Sequence, residues 1–106
     1  MTREELVTLL KHMVDANASD VFVVAGLPLT YRASGAQVRE DTTMLTPDMT
    51  EAIARAVFEL AGRDFAYFES LRNIDDDFSF AVAGIGRFRI NVFRQRGSIG
   101  CIIRVI

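Results

Sequence analysis

Five arginines, Arg87, Arg89, Arg94, Arg96 and Arg104, fall in the last stretch of the chain with no acidic residue among them, although the whole sequence is net −2. A guanidinium presents a planar donor fork matched to carboxylate and phosphate. The run Gly84-Ile-Gly-Arg-Phe-Arg-Ile-Asn-Val-Phe-Arg-Gln-Arg96 alternates, with Phe88, Ile90 and Val92 on one parity and Arg87, Arg89 and Asn91 on the other. On a strand, residues two apart point the same way and lie about 6.5 to 7 Å apart, so this row could grip a polyphosphate or a line of carboxylates. The same pattern also suits an exposed edge strand blunted by charge against aggregation. One lysine against eleven arginines fits either a demand for planar forks or a bias of genome composition.

Other chemistries find less support. A phosphate-binding P-loop needs Gly-x-x-x-x-Gly-Lys-Ser/Thr, and the only lysine, Lys11, has no glycine before it. Gly84-x-Gly86 lacks a third glycine and leads into a strand, so it reads as a hairpin turn and not a dinucleotide fingerprint. His12, the only histidine, falls on the polar face of a helix and is expected to be solvated. Cys101 sits in an apolar run as a small buried hydrophobe that can form no internal disulfide, and no nucleophile and base are paired. Asp75-Asp76-Asp77 lacks the alternating oxygen ligands of a calcium loop and is expected to start a strand or to partner an arginine. No metal site and no nucleic-acid signature is legible.

At 106 residues, 50% apolar and 25% charged, the chain is one globular domain able to bury its own core. No apolar run approaches the length of a membrane span and no signal peptide opens the sequence, so a soluble, unexported protein is expected.

These side chains must be positioned by an alternation of helical and extended segments. A Thr2-x-x-Glu5 capping box opens a helix over Arg3 to Ala16, with Leu6, Leu9, Leu10, Met13 and Val14 on one stripe and Asn17 at its end. A buried strand is predicted at Val21–Ala25, closed by Gly26. An alternating strand follows at Leu29–Ala33, then a turn at Ser34-Gly35 and a short strand at Gln37–Arg39. Glu40 to Leu45 reads as a polar loop. Thr46 and Pro47 open a second helix with the stripe Met49, Ile53, Val57 and Leu60 and with Phe58 and Ala56 alongside, ended by Gly62, and a shorter helix follows over Arg63–Leu71. A three-stranded meander closes the chain: Asp77–Val82, the arginine strand, and Ile99–Ile106. The order predicts an α+β domain with helices covering one face of a mainly antiparallel sheet.

Ala18-Ser-Asp-Val-Phe-Val23, Gly26-Leu-Pro28 with Arg32 and Gly35 after it, Asp77-Phe-Ser-Phe80, and Gly86-Arg-Phe-Arg-Ile-Asn-Val-Phe-Arg-Gln-Arg-Gly-Ser98 together resemble the N-terminal domain of the type IV pilus retraction ATPases, PilT/PilU-like members of the secretion-ATPase superfamily. The resemblance covers nearly the whole chain. Two positions depart from it, Phe22 where the family often has His and Leu29 where it often has a second Pro.

The resemblance implies a PAS-like fold and a single N-terminal domain over residues 1–106, with a RecA-like core, carrying the P-loop and binding ATP and Mg2+, expected after Ile106. It implies a cytoplasmic homohexamer, peripheral to the inner membrane at the pilus base, whose motor drives twitching motility. The partners would be core domains of the same and neighbouring subunits and inner-membrane platform proteins, with no nucleic acid. No catalytic residue and no cofactor is expected within these residues alone. Arg87, Arg89, Arg94 and Arg96, with Arg104 more weakly, become the candidates for reaching nucleotide held by the core. The alternative is a free-standing PAS-like module that binds a ligand or protein without motor function.

Overall fold

The computed structural model describes residues 1–106. Its first helix, α1 (Arg3–Asp15), starts where the capping box places it: the Glu5 N–H donates to Thr2 Oγ1 at 3.0 Å and the Thr2 N–H donates to Glu5 Oε1 at 2.9 Å. Leu6, Leu10 and Met13 are buried beneath it. Asn17 then takes a left-handed φ of 57°, turning the chain into the sheet.

Six strands follow the pattern helix, three strands, two helices, three strands: β1 (Ala18–Val23), β2 (Pro28–Ala33), β3 (Ala36–Met44), α2 (Pro47–Ala61), α3 (Phe65–Ser70), β4 (Asp76–Val82), β5 (Gly86–Gln95) and β6 (Ser98–Val105). They form one sheet in the order β3-β2-β1-β6-β5-β4, antiparallel at every pair. The last strand therefore returns to the centre beside the first. This is the expected α+β layout, two three-stranded meanders joined by the β1–β6 pairing.

Two local readings are corrected. Residues 40 to 44 are strand and not loop, because β3 continues to Met44, which pairs with Pro28 after a register shift between Pro28 and Thr30. As an edge strand exposed along almost its whole length, β3 has no reason to alternate apolar and polar residues. β1 begins earlier than predicted and ends at Val23. It is buried on one side only: Val21 and Val23 are fully buried while Phe22 keeps partial exposure.

The helices cover one face. Val21, Val23, Phe78, Phe80, Phe88, Ile90, Val92, Ile99, Cys101 and Ile103 point beneath them from four of the six strands. Phe58 on α2 stands near the middle of an aromatic cluster, with ring centroids 5.1 Å from both Phe65 and Phe78 and 5.6 Å from Phe68. On α2 the buried positions are Thr50, Ile53, Ala54, Ala56, Val57 and Phe58, so Ile53, Val57, Ala56 and Phe58 are buried as expected while Met49 and Leu60 are displaced in favour of Thr50 and Ala54. Leu60 is only partly buried, and Met49 is 40% exposed, its Sδ accepting a hydrogen bond from the Thr46 N–H at 3.4 Å.

Candidate functional site: the open face of the sheet

The other face of the sheet carries no helix, and it is there that the strand alternation sends Arg87 and Arg89. Cross-strand register places Ser79, Arg89, Arg104, Asp20, Arg32 and Gln37 in one line across all six strands. The adjacent line holds Asp77, Asn91, Ile102, Phe22, Thr30 and Arg39. Directly opposed antiparallel residues share a face about 4.5 to 5.5 Å apart, so Arg89 and Arg104 are neighbours. Arg87 lies one step along β5 on the same side. The arginine strand is not an edge, since β4 and β6 flank it, so protection of an exposed edge does not explain its charge.

Like charges this close need compensation, and two aspartates supply it. Arg89 Nε donates to Asp77 Oδ1 at 2.8 Å; this hydrogen bond, then the charge of Asp77, raises the Arg89 pKa. Arg104 Nε stands 3.6 Å from Asp20 Oδ1. Arg32 lies 5.7 Å from the centre of the Phe22 ring. Arg39 and Arg87 have no carboxylate partner. Between the paired groups is an open cleft of about 390 Å³ lined by Asp77, Arg89, Asn91, Ile102 and Arg104. Its lining is mostly polar, with two arginines and one aspartate.

The five predicted arginines do not all come together. Arg94 shares the parity of Phe88, Ile90 and Val92 and turns under the helices. Its Nη1 donates to the Leu71 and Ile74 carbonyls at 2.9 and 3.3 Å, its Nη2 donates to the Phe68 carbonyl at 2.8 Å, and its guanidinium lies 4.2 Å from the Phe68 ring centre. It ties the C-terminal end of α3 to the turn after it, adding a charged donor to the Phe68 and Leu71 carbonyls that already accept from the Leu71 and Ile74 N–H groups. Arg94 also lines the largest cleft, about 680 Å³, which lies on the helix side among Glu51, Glu69 and Arg72 and away from the arginine row. Arg96 occupies the β5–β6 turn with a left-handed φ of 51°. Arg87, Arg89 and Arg104 remain as the cluster.

The other candidates have ordinary partners. His12 Nε2 stands 3.1 and 3.2 Å from the two Glu40 oxygens, at the surface. Arg63 Nη2 donates to both Asp76 oxygens at 3.2 and 3.3 Å, and Asp77 takes Arg89, so the aspartate run does meet arginines as expected. Cys101 is fully buried, and burial pushes its thiol up to about 12. Sequence reasoning did not place Asp20, Arg32 or Arg39 in this face. The alternation of β2 was legible, but the β1–β6 pairing that sets β2 in line with the arginine strand was not.

The helix-backed antiparallel sheet is shared with solved ATPase structures. The Legionella pneumophila ATPase DotB matches it with a TM-score of 0.76 at 20% identity, over 100% of this chain and 29% of that one. The VirB11 ATPase of the Brucella suis type IV secretion system, solved with sulphate, matches with a TM-score of 0.60 at 16% identity, over 100% of this chain and 32% of that one. At those identities the likeness shows the fold alone. No protein-family model matches the chain.

Sequence narrows the class. The type IV pilus ATPase PilU of Pseudomonas aeruginosa is 35% identical over 103 residues, 96% of this chain, and the type IV pilus retraction ATPase PilT of the same organism is 31% identical over the same length. A crystal structure of the pilus retraction motor PilT with bound ADP matches with a TM-score of 0.73 at 33% identity, over 94% of this chain and 28% of that one. The chain is a PilT/PilU-like secretion-ATPase domain. It spans about a quarter of the length of these relatives, 26% of PilU and 28% of PilT.

Proposed function

We propose that this chain is the N-terminal regulatory and packing domain of a type IV pilus retraction ATPase, a cytoplasmic hexameric motor at the inner-membrane pilus base. In this reading a RecA-like core following Ile106 holds ATP and Mg2+, and the domain contributes arginines to the nucleotide and surface to neighbouring subunits and platform proteins. The observation that carries it is the gathering of Arg87, Arg89 and Arg104 on a helix-free face beside an open cleft. In this reading the part played by the domain is electrostatic. A phosphoryl group in transfer spreads negative charge over its oxygens, and an arginine fork brought to it can accelerate the step by about 10³ to 10⁵. Asp77 holds the Arg89 fork in place until a phosphate competes for it. Arg94, spent on three carbonyls, serves the architecture.

The test uses the full-length protein. Arg87→Ala, Arg89→Ala and Arg104→Ala are each made and ATP turnover and ATP affinity measured; at least one is expected to lose turnover by about tenfold or more. Unchanged turnover and affinity in all three overturns the arginine role. Absence of Gly-x-x-x-x-Gly-Lys-Ser/Thr in the reading frame beyond Ile106 overturns the motor assignment itself. Binding of a small molecule or protein by these 106 residues alone, with no core domain, favours a free-standing module instead.

A further inference from the structure

Across the open face from Arg87 and Arg89, the sheet carries a second recess that the proposed nucleotide role does not use. It holds about 400 Å³ over β1, β2 and β3. Phe22 and Val24 border it from the β1 side, both partly buried, and Leu27 in the β1–β2 turn extends this apolar wall with 50% of its surface exposed. The turn is fixed: the Leu27 N–H donates to the Val24 carbonyl at 3.2 Å and the Leu27 carbonyl accepts from the Leu45 N–H at 3.0 Å. A wall already ordered costs a ligand little to meet. From the β3 side come Gln37 and Arg39, two residues apart and so on one face. Neither side chain has a hydrogen-bond or ion-pair partner within the chain, whereas the Thr30 hydroxyl between the two walls is spent on the Pro28 carbonyl at 2.9 Å. An apolar recess with a few convergent polar groups is the make-up of a small-ligand site.

Arg39 is the only charged side chain lining the recess. The acids that follow it in sequence turn elsewhere: Glu40 meets His12 Nε2 at 3.1 and 3.2 Å, and Asp41 lines the groove between β3 and α2. Asp20 sits in the adjoining line, directly opposed to both Arg32 and Arg104. Over the whole open face Arg32, Arg39, Arg87, Arg89 and Arg104 stand against only Asp20 and Asp77, so in a chain of net −2 the excess of acids lies outside this face. A bare phosphate has no use for the apolar wall, and a neutral hydrocarbon leaves the Arg39 fork unpaired. We propose that this recess binds an apolar carboxylate, its aromatic or branched aliphatic body against Phe22, Val24 and Leu27 and its two oxygens on the Arg39 fork and the Gln37 amide. A free small acid and the C-terminal residue of a peptide share this chemistry. The proposal does not depend on the nucleotide role of Arg87, Arg89 and Arg104.

The experiment follows the amide resonances of this chain during titration with phenylpropionate, phenylpropionamide, inorganic phosphate, and an acetylated glycine peptide ending in phenylalanine with a free carboxylate. Phenylpropionate or the peptide is expected to shift Phe22, Leu27, Thr30 and Arg39 saturably while Arg72, on the helix side, stays put. Saturation by phenylpropionate assigns a free acid, and saturation by the peptide alone assigns a chain terminus. Phenylpropionamide and phosphate are expected to bind about fivefold more weakly or worse, as is the preferred ligand to Arg39→Gln, since each change removes one side of a charged hydrogen bond or the apolar body beside it. Leu27→Ser is expected to weaken that ligand by about two- to fivefold, and Arg72→Gln to leave it unchanged. The proposal is overturned by no saturable shift with either carboxylate, by equal binding of the acid and its amide or of the acid and phosphate, by shifts centred on Arg87 and Arg89, or by equal losses from Arg39→Gln and Arg72→Gln. The dispersion of each variant's own amide spectrum separates lost binding from lost folding.

Discussion

Asp77 and Arg89 face one another across the β4–β5 pair at 2.8 Å, two residues out of direct register, so that the guanidinium leans toward the start of β4 instead of standing over Ser79. The pair is solvent-exposed at both ends, and its contribution to stability is correspondingly slight. Its larger effect is on where the fork points.

Asp77→Asn therefore separates the two roles. The variant is expected to unfold at nearly the wild-type urea midpoint, and in the full-length protein to change ATP affinity or turnover, because Arg89 no longer has a fixed carboxylate to leave. Urea titration and steady-state ATP hydrolysis check the two halves. A collapsed midpoint would show that the pair is structural.

Arg94→Ala should behave in the opposite way. Three carbonyl acceptors at the end of α3 lose a charged donor and the Phe68 ring loses its stacked guanidinium, a loss of about 2 to 4 kcal/mol. Arg94→Lys is expected to recover little, since an ammonium cannot span acceptors that the planar fork reaches together. Chemical denaturation of both variants measures this.

Gly100 is required by a neighbour and not by its own backbone. A Cβ there would stand 2.8 Å from the Phe93 ring and 3.1 Å from the Val23 carbonyl oxygen. Phe93 is the directly opposed residue on β5, so its ring lies across the glycine on the open face. Gly100→Ala is expected to cost about 1 to 3 kcal/mol, and combining it with Phe93→Ala to cost less than the sum of the two single changes. A double-mutant cycle from urea unfolding reads the coupling; strict additivity would remove the ring from the account.

The buried thiol gives a pH signature. Cys101 stays protonated in the native state to about pH 12, whereas in the unfolded chain it ionises from about pH 8.5. The native state holds the proton more tightly, so stability present below that lower value is lost as pH rises above it, by up to about 1.4 kcal/mol per pH unit from this group. Unfolding free energies at pH 7.5 and 10 should differ more for the wild type than for Cys101→Val. Thiol reagents should label Cys101 only as fast as the protein opens.

Much of the fold was legible because its signals are local. The Thr2 and Thr46 caps, Asn17, Gly62 and the alternation of β4 and β5 each act within a few residues. What was lost depends on distant pairing. β3 looked like a loop past Arg39 because an exposed edge strand has no buried face to impose a period, and the pairing of Pro28 with Met44 is needed to see it. The candidate site was half legible. Parity alone separates Arg94 from Arg87 and Arg89, but only the β1–β6 pairing brings Asp20, Arg32 and Arg39 into line with them.

The division of charge between the two sides also alters what a net charge of −2 means for this molecule. The shortest dimension of the domain is 23 Å, more than twice the Debye length of about 10 Å at 0.1 M salt. An approaching partner at that ionic strength is screened from the far side and meets a cationic sheet or an acidic helix layer, never their sum. At that ionic strength the domain therefore acts as an oriented dipole in encounter kinetics, the side it presents and not its net charge setting the sign that a partner meets.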